Sequence, residues 1–226
     1  MRPRIAMIAA LPREVAPLVQ GWQDKSDRVR KVFVYTSDAA VVAYAGMGAV
    51  RAEMAVRAAL QYGPISHILS VGWAGALKPG LAVGTVHHPA YVIDAVTNQR
   101  SPTVAGAGTL VTVTKFADAE EKRRLVADFN ADFVDMEAAT VARIAAEQKA
   151  PFAVVKAISD GPDDGLPELQ RFYTQDGWFR EKAFALHLAL RPWLWAVAVR
   201  MGRSASISAQ NLCYELDRVL RAYEGK

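Results

Sequence analysis

Two kinds of hydrophobic pattern alternate along the chain, and each predicts one type of secondary structure. Short continuous apolar runs indicate buried strands, whereas apolar residues that recur every three or four positions indicate amphipathic helices. Strands are predicted at residues 5–10, 32–36, 41–45, 67–71, 83–94, 110–114 and 152–158, with a short strand ending near 134. Helices are predicted at residues 51–62, 119–129, 137–149, 178–190 and 204–223. This alternation predicts an α/β sandwich around a mixed sheet.

Prolines and glycines mark where some of these elements begin and end. Pro12 suits the first position of a helix, and Pro17 is expected to kink or end that helix early. The strand at 67–71 is predicted to lead into a turn formed by Gly72-Trp73-Ala74-Gly75. The nearly all-apolar run 152–158 is typical of a central strand that is covered on both faces.

Length and composition favour one compact domain without a metal. The 226 residues, of which 52% are hydrophobic, predict a single domain over 1–226, with 178–226 as a helical C-terminal extension. Cys213 is the only cysteine, and no Cys/His cluster has the spacing of a metal site, so we expect no metal and no other cofactor. The N-terminus lacks the hydrophobic region and cleavage site of a secretory signal, which predicts a cytoplasmic protein.

The formal net charge of +4 does not by itself identify a partner. Basic residues are mostly dispersed among acids, as at 120–124, which we interpret as a solvated helix face, and we expect no nucleic-acid partner. The segment 191–200 is apolar but shorter than the roughly 18 to 20 residues that span a bilayer. It predicts a buried helix or a subunit contact. A weak contact of 191–203 with a membrane surface is the alternative, because tryptophans and arginines occur together there.

Acidic residues and glycines follow the predicted strands where a ligand site is expected. Leu11-Pro12-Arg13-Glu14 follows the first strand, Gly72-Trp73-Ala74-Gly75 a middle strand, and Ile158-Ser159-Asp160-Gly161 the strand before the tail. Asp135-Met136-Glu137 adds two carboxylates at the start of a helix. Ligands of α/β sheets bind at the carboxyl ends of the strands, so we expect these elements to meet in one crevice.

Each of these elements also has a purely structural interpretation. Ser159 and Asp160 can cap a helix, and Glu137 can simply favour the positive end of its own helix. Gly46-Met47-Gly48 is not a dinucleotide fingerprint, because Arg51 occupies the position of the third glycine. The case for a functional site therefore depends on the order and spacing of the whole set.

That order resembles the purine nucleoside phosphorylase and uridine phosphorylase superfamily, and most of all its 5′-methylthioadenosine/S-adenosylhomocysteine nucleosidase branch. The matching stretches are residues 5–15, 45–48, 72–75, 134–138 and 155–160. The most specific element is the pair Met136-Glu137-Ala138 and Ala157-Ile158-Ser159-Asp160. The resemblance implies a three-layer α/β/α sandwich around a mixed, partly barrel-like sheet. It also implies a homodimer whose partner is a small-molecule purine nucleoside.

The resemblance assigns a role to three carboxylates. Asp160 protonates or hydrogen-bonds N7 of the departing adenine, Glu137 binds the ribose hydroxyls, and Glu14 orients or deprotonates the attacking water. Cleavage of a glycosidic bond builds positive charge on the sugar and negative charge on the base. Carboxylates near the ribose and a proton donor at the base therefore both favour the transition state.

Eight further residues are implied to bind substrate. They are Met136, Phe116, Gly72, Trp73, Ala74, Ser159, Lys156 and Phe172. Met136 is expected to lie against the sugar, Phe116 to stack on the base and Phe172 to cover the 5′ substituent. Lys156 is expected to tune the site rather than to react.

Several positions depart from the family pattern and leave alternatives open. Phosphorylases carry arginine and a small hydroxyl residue at the positions of Ser70 and Trp73, which argues for water as the nucleophile, although Arg51 leaves phosphorolysis open. The nucleosidase branch usually has serine at Trp73 and arginine at Lys156, so the water site is expected to be rearranged.

The 5′ side of the site is expected to be more open than in the family, because 95–109 is short for this branch. An open 5′ side suits a bulkier substituent, so cleavage of an adenosyl-lipid, as in the hopanoid-associated members, is an alternative. A nucleoside-binding protein without turnover is the alternative from another class of function.

Overall fold

The computed structural model describes residues 3–164, 169–172, 174, 177–180, 183, 184, 186, 187 and 195–224. Its strands are β1 (Arg4–Ala9), β2 (Gln23–Asp24), β3 (Phe33–Thr36), β4 (Ala40–Tyr44), β5 (Ile65–Ala76), β6 (Val86–His87), β7 (Tyr91–Asp94), β8 (Arg100–Pro102), β9 (Thr109–Thr112), β10 (Phe133–Asp135) and β11 (Phe152–Asp160). Its helices are α1 (Pro12–Val15), α2 (Ala49–Ala59), α3 (Ala119–Phe129), α4 (Ala138–Glu147) and α5 (Trp195–Glu224), with 3₁₀ helices at Leu60–Tyr62 and Leu169–Phe172.

The sheet is organised around β5. β1 and β11 pair with β5 in parallel. β10 pairs antiparallel with the last residues of β5, Gly75 and Ala76. Beyond β1 the sheet continues through β4, β3 and β2, and beyond β10 through β9, β7 and β8. β5 has three partners and changes neighbours along its length. The mixed, partly barrel-like sheet that the resemblance implied is confirmed.

Helices cover both faces of the central strands. Along β1, Ala6 and Ile8 point into a core that includes α2 and α4, whereas Ile5, Met7 and Ala9 point into a core that includes α5. The three layers therefore follow from the alternation of side chains on a strand that is apolar on both faces.

The segment from Gly72 to Gly75 is not a turn, which corrects the sequence prediction. β5 continues through it to Ala76, because residues 72–74 pair with residues 156–158 of β11. Gly72 has a φ of 127°, a backbone conformation that residues with a side chain rarely adopt. Gly72 looked like a turn signal, but it instead allows the distorted strand β5 to keep its hydrogen bonds to β11.

Most other predicted elements have the predicted type with shifted ends. α3 has the predicted bounds, and α1 ends at Val15, before Pro17. The predicted strand at 83–94 is wrong as one element, because it is divided into β6 and β7. Pro89 lies between the two and has no N–H group with which to continue a ladder.

The C-terminal helix α5 packs only part of its length into the core. Leu212, Leu216 and Leu220 recur every four residues and are buried against the central strands. Trp195 and Val199 are each 55% exposed, so the prediction of a buried helix is wrong for these two residues. A subunit contact and a membrane-surface contact both stay predictions.

Part of the predicted tail cannot be compared with its prediction. Within the predicted helix at 178–190, residues 181, 182, 185 and 188–190 lie outside the described residues. Trp178 itself is not helical, whereas residues 183, 184, 186 and 187 are helical. Within the described part of the chain, no helix combines the length and the apolar character needed to cross a membrane.

Candidate active site

Glu14 lies on α1, directly after β1, and backbone N–H groups fix the orientation of its carboxylate. Oε2 accepts hydrogen bonds from Ala10 and Leu11 at 2.9 and 2.8 Å, and Oε1 accepts one from Trp73 at 3.0 Å. Burial raises the pKa of Glu14, although these N–H groups and Lys156 oppose the shift. A fixed carboxylate with raised proton affinity is suited to accept a proton from water.

Gly72 is required beside this carboxylate for a steric reason. A Cβ atom built on Gly72 would lie 2.8 Å from Oε1 of Glu14 and 3.0 Å from its Cδ. The positive φ of Gly72 adds backbone strain for any other residue. Gly72 therefore shapes the site through its backbone, by letting Glu14 approach β5.

Glu137 lies between the N-termini of two helices. It is the N-cap residue of α4, and its Oε1 accepts a 2.7 Å hydrogen bond from the N–H of Gly48, the N-cap residue of α2. Burial raises the pKa of Glu137 to about 7, with a further contribution from Asp135, whereas Lys156 and the Gly48 N–H lower it. Near neutral pH this carboxyl group therefore changes charge state.

Lys156 is held in a buried ion pair with Asp135. Its Nζ lies 2.9 Å from Oδ2 of Asp135, and both side chains are 1% exposed. Asp135 also accepts hydrogen bonds from the Thr112 hydroxyl at 2.6 Å and from the Ala138 N–H at 3.0 Å. Burial alone lowers the pKa of Lys156, but Asp135, Glu137 and Glu14 raise it above its usual value. The positive charge of Lys156 is therefore already paired with the carboxylate of Asp135.

Glu14, Glu137, Asp135 and Lys156 form one electrostatic cluster, which we call the ribose-side cluster after the role that the resemblance predicts for Glu137. Lys156 influences both glutamates, and Glu14 also raises the pKa of Glu137. Three carboxyl groups thus interact electrostatically with one ammonium group, which contacts Asp135 directly. Sequence reasoning gave Asp135 no role, although an acid two residues before Glu137 at a strand end was the signal for it.

Asp160 lies at the end of β11 and has a different set of partners. Its Oδ2 is 2.5 Å from the Nζ of Lys122 on α3, and its Oδ1 accepts a 2.5 Å hydrogen bond from the hydroxyl of Ser159. Lys122 also donates to the carbonyl oxygens of Gly161 and Asp164, at 2.6 and 3.1 Å. We call Asp160 and Lys122 the base-side pair, after the role that the resemblance predicts for Asp160.

The burial of Lys122 corrects the interpretation of 120–124 as a solvated helix face. The Lys122 side chain is 2% exposed, whereas its neighbour Arg124 is 57% exposed. Lys122 precedes Leu125 by three residues and Phe129 by seven, which places all three on the inward face of α3. That helical spacing was the signal that distinguished Lys122 from the charges around it.

β5 connects the two groups of acids. A Cβ atom at Gly75 would lie 3.0 Å from Oδ2 of Asp160, just as one at Gly72 would meet Glu14. Three residues of a strand span about 10 Å. The predicted catalytic carboxylates therefore lie along the C-terminal part of β5, as the ribose-side cluster with Glu14 and Glu137 and as the base-side pair with Asp160.

The other predicted residues on the strands contact these groups or lie beside them. Ser159 donates to Asp160, and its hydroxyl is also 3.3 Å from the carbonyl oxygen of Ala74. Trp73 gives its backbone N–H to Glu14, and its ring lies near the guanidinium of Arg13, with 5.8 Å to the ring centroid. Met136 is half-buried and packs beside the core that contains α3.

Two aromatic predictions fall in different surroundings. Phe116 is 39% exposed in the loop before α3. Phe172 is 7% exposed and packs against the rings of Phe179, Phe184 and His187, with centroids 5.0 to 6.4 Å apart. Its role as a cover over the substrate stays a prediction.

A cavity of about 390 Å³ lies elsewhere, between the segment that leads into β6 and α5. Its lining residues are Val83, Gly84, Thr85, Val86, Asn211, Tyr214 and Glu215. It contains none of the predicted site residues. The predicted catalytic carboxylates lie along β5 and do not line this cavity.

Comparison with known proteins gives a consistent picture. The model of the family described as the phosphorylase superfamily matches residues 4–114 and 96–190. A 5′-methylthioadenosine/S-adenosylhomocysteine nucleosidase of Haemophilus influenzae is 28% identical over 200 residues, covering 71% of this chain and 87% of the relative. An aminodeoxyfutalosine nucleosidase of Campylobacter jejuni is 25% identical over 195 residues, covering 70% and 85%.

The fold is also found in solved structures of nucleosidases. A crystal structure of 5′-methylthioadenosine/S-adenosylhomocysteine nucleosidase from Neisseria meningitidis, in complex with methylthio-immucillin-A, superimposes with a TM-score of 0.73 at 17% identity. The superposition covers 98% of this chain and all of the other. The whole described sheet with its helices therefore has a counterpart in a solved nucleosidase.

Proposed function

The chain belongs to the phosphorylase superfamily, and its relatives put it among the nucleosidases; from this premise we propose that it hydrolyses the N-glycosidic bond of a 5′-substituted adenosine. Adenine is the leaving group and water is the nucleophile. The substrate is of the 5′-methylthioadenosine or S-adenosylhomocysteine type. No cofactor takes part in this proposal.

The charge of the ribose-side cluster is the observation that carries the proposal. Glu14, Glu137 and Asp135 supply three carboxyl groups, and Lys156 is already paired with Asp135. A phosphate dianion would meet like charges here, whereas a sugar that becomes positive in the transition state meets opposite charges. Ser70, at the position where phosphorylases carry arginine, is a fully buried neutral hydroxyl. The cluster thus favours hydrolysis over phosphorolysis.

In this proposal Glu14 and Glu137 have different roles at the sugar. Glu14 orients the water and takes its proton, since its carboxylate is fixed by three N–H groups and burial raises its pKa. Glu137 in its ionised form accepts hydrogen bonds from the ribose hydroxyls, and Met136 lies against the sugar. Both glutamates are held by backbone groups, so little reorganisation is needed as positive charge develops.

Asp160 acts at the base in this proposal. The bond between C1′ and N9 breaks, its electron pair goes to the purine, and the proton of the Asp160 carboxyl group passes to N7. Ser159 and Lys122 bind the carboxylate that remains. The 36% exposed Asp160 side chain regains its proton from solvent.

Adenine release, measured on the full chain with and without phosphate, tests the proposal. The substrates are methylthioadenosine, S-adenosylhomocysteine and aminodeoxyfutalosine, and the products are separated by chromatography. We expect adenine and a free sugar without phosphate. A sugar phosphate that forms only with phosphate would replace the proposal by phosphorolysis, and ligand binding without any product would replace it by a binding protein.

Two matched glutamine variants test whether the activity depends on Glu14. Glu14→Gln is expected to lose hydrolysis by about a hundredfold or more, because the general base is removed. Glu53→Gln is the control, since Glu53 is 35% exposed and pairs with Arg57 and Arg143 on the surface. Equal activities of the two variants would contradict the role of Glu14.

A further inference from the structure

A short segment after the second 3₁₀ helix lies against the loop that leads into α2. The segment comprises residues 177–180, and we call it the clamp segment. The N–H of Met47 in the loop donates a 2.9 Å hydrogen bond to the carbonyl oxygen of Gly177. The next residue of the loop, Gly48, donates its N–H to Oε1 of Glu137 at 2.7 Å. One residue of the loop therefore contacts the clamp segment, and the next contacts the ribose-side cluster.

Gly177 approaches this loop more closely than a residue with a side chain could. A Cβ atom built on Gly177 would lie 2.3 Å from the carbonyl oxygen of Met47 and 2.8 Å from its nitrogen. Both are backbone atoms, which cannot rotate away as the end of a side chain can. Gly177 also has a φ of 74°, a backbone conformation that favours glycine. The contact between the clamp segment and the loop therefore depends on glycine at this position.

Neighbouring contacts hold the clamp segment in place. Thr174 donates its N–H to the carbonyl oxygen of Trp178 at 2.8 Å, and the Thr174 hydroxyl accepts the N–H of Trp178 at 3.1 Å. The indole of Trp178 meets the ring of Phe33 edge-on, with the centroids 5.8 Å apart. The guanidinium carbon of Arg13 lies 5.4 Å from the centroid of the Phe179 ring. The clamp segment therefore contacts α1 as well as the loop that leads into α2.

We propose that the clamp segment, with Gly177 as its positioning residue, holds Gly48 in hydrogen-bonding contact with Glu137. This inference rests on the proposed function, in which ionised Glu137 binds the ribose hydroxyls. Met47 and Gly48 are half-buried and the first two residues of α2 are exposed, so the loop lies near the surface. The contact with the clamp segment restricts the loop and thereby fixes the donor to Glu137.

The N–H of Gly48 affects the charge state of Glu137. Burial raises the pKa of Glu137 to about 7, and the Gly48 N–H is one of the groups that lower it. The charged groups that act on Glu137 are Asp135, Lys156 and Glu14. On α2, the charged residue of the first turn is Arg51, whose guanidinium contacts Sδ of Met54 at 3.7 Å. A substitution in the clamp segment changes none of these groups, so its effect on Glu137 passes through the loop.

The test compares Gly177→Ala with Gly21→Ala in the full chain. Gly21 has a similar positive φ of 79°, but no other atom lies within 4 Å of the added Cβ. Gly177→Ala is expected to displace the Gly48 N–H, so that Glu137 keeps its proton to higher pH. The acidic limb of kcat/KM for adenine release should then move upward by about one pH unit. Gly21→Ala is expected to have the wild-type profile.

The pH profile separates the positioning of Glu137 from a general loss of structure. With a limb that has moved from about pH 7 to about pH 8, kcat/KM falls about fivefold at pH 7 and less than about twofold at pH 9, relative to the wild type. A glycine that served the fold alone would change kcat/KM by one factor at every pH. An unmoved limb in a folded Gly177→Ala variant would overturn the inference, while adenine release by the wild type leaves the proposed function intact.

A second variant keeps the inference testable if Gly177→Ala does not fold. Thr174→Val keeps the backbone hydrogen bond to Trp178 and removes only the hydroxyl that accepts the Trp178 N–H. We expect the acidic limb to move in the same direction by a smaller amount, because the clamp segment is held less firmly.

Carbon-13 NMR of the glutamate carboxyl groups tests the inference without any substrate, even if the wild type releases no adenine and the proposed function fails. The signal of Glu137 is assigned by its loss in Glu137→Gln. We expect its titration midpoint to be raised in Gly177→Ala and in Thr174→Val, and to be unchanged in Gly21→Ala. Midpoints equal to that of the wild type in every folded variant of the clamp contact would overturn the inference.

Discussion

The ribose-side cluster and the base-side pair hold their carboxyl groups in different ways. Glu14 and Glu137 receive their hydrogen bonds from backbone N–H groups at the ends of β1, β5 and α2. Asp160 receives its hydrogen bonds from two side chains, Ser159 and Lys122. Backbone donors cannot be exchanged by point mutation, whereas the side-chain donors can.

This difference suits the two tasks in the proposed reaction. The groups around the sugar stabilise charge, which requires fixed dipoles and a dry environment. The group at the base has to lose and regain a proton in every cycle, which requires contact with solvent and a tunable partner. Glu14 is 4% exposed, and the Asp160 side chain is 36% exposed.

The largest expected effect is on the base side. Asp160→Asn keeps the shape of the side chain but removes the proton, so we expect adenine release to fall by about 10² to 10⁴-fold with the fold unchanged. Asp128→Asn on the exposed face of α3 is the control, because Asp128 pairs only with a surface arginine among the described contacts. Turnover at the wild-type rate in Asp160→Asn would place the acid elsewhere.

Removing the cation of the ribose-side cluster is expected to affect the fold itself. Lys156→Met leaves Asp135 as a buried carboxylate without its counterion, which costs about 3 to 5 kcal/mol of unfolding free energy. Lys78→Met breaks a partly exposed pair and is expected to cost less than about 1 kcal/mol. Urea denaturation of both variants measures the contrast, and equal losses would show that the buried pair contributes no more than a surface pair.

Glu137 is expected to make stability depend on pH. Burial raises the pKa of Glu137 in the folded protein to about 7, from the ordinary glutamate value of 4.5, so the ionised form destabilises the fold above pH 7. That cost disappears as the pH falls from 7 to 4.5, since the folded protein takes up the proton first. Glu137→Gln should therefore be more stable than wild type at pH 8, by at most about 3 kcal/mol, and equally stable near pH 4.5. A stability difference that is constant between these pH values would contradict this assignment.

Substitution of Gly72 tests whether the close approach of Glu14 to β5 is needed for activity. Gly72→Ala adds backbone strain of about 1 to 3 kcal/mol and pushes Glu14 away, so we expect both lower stability and at least about tenfold lower kcat. Gly80→Ala has a similar positive φ of 91° but no atom within 4 Å of the added Cβ. It should lose stability only. If the two variants lose kcat equally, the contact with Glu14 is not what Gly72 protects.

Local patterns were sufficient for most of the fold. The apolar run at 152–158 and the spacing within 119–129 gave β11 and α3, because burial on both faces or on one face leaves a periodic trace in the sequence. Glu14, Glu137 and Asp160 were identified as site candidates because they follow predicted strands, and ligands of α/β sheets bind at the carboxyl ends of the strands. The cytoplasmic location and the homodimer stay predictions.

Long-range pairing accounts for what the sequence did not reveal. The segment 72–75 looked like a turn because its partner strand is about 80 residues away, and only the ladder with β11 identifies it as a strand. Lys122 looked like a surface charge because its partner, Asp160, is 38 residues further along the chain.

The sequence by itself determined the elements, the layers and the types of residue at the site, since these depend on local burial and on backbone preference. Only the tertiary structure decided which charges become partners. Electrostatic interactions depend on distance in space and on burial, and neither is encoded by the spacing of Asp135, Lys156, Lys122 and Asp160 along the chain.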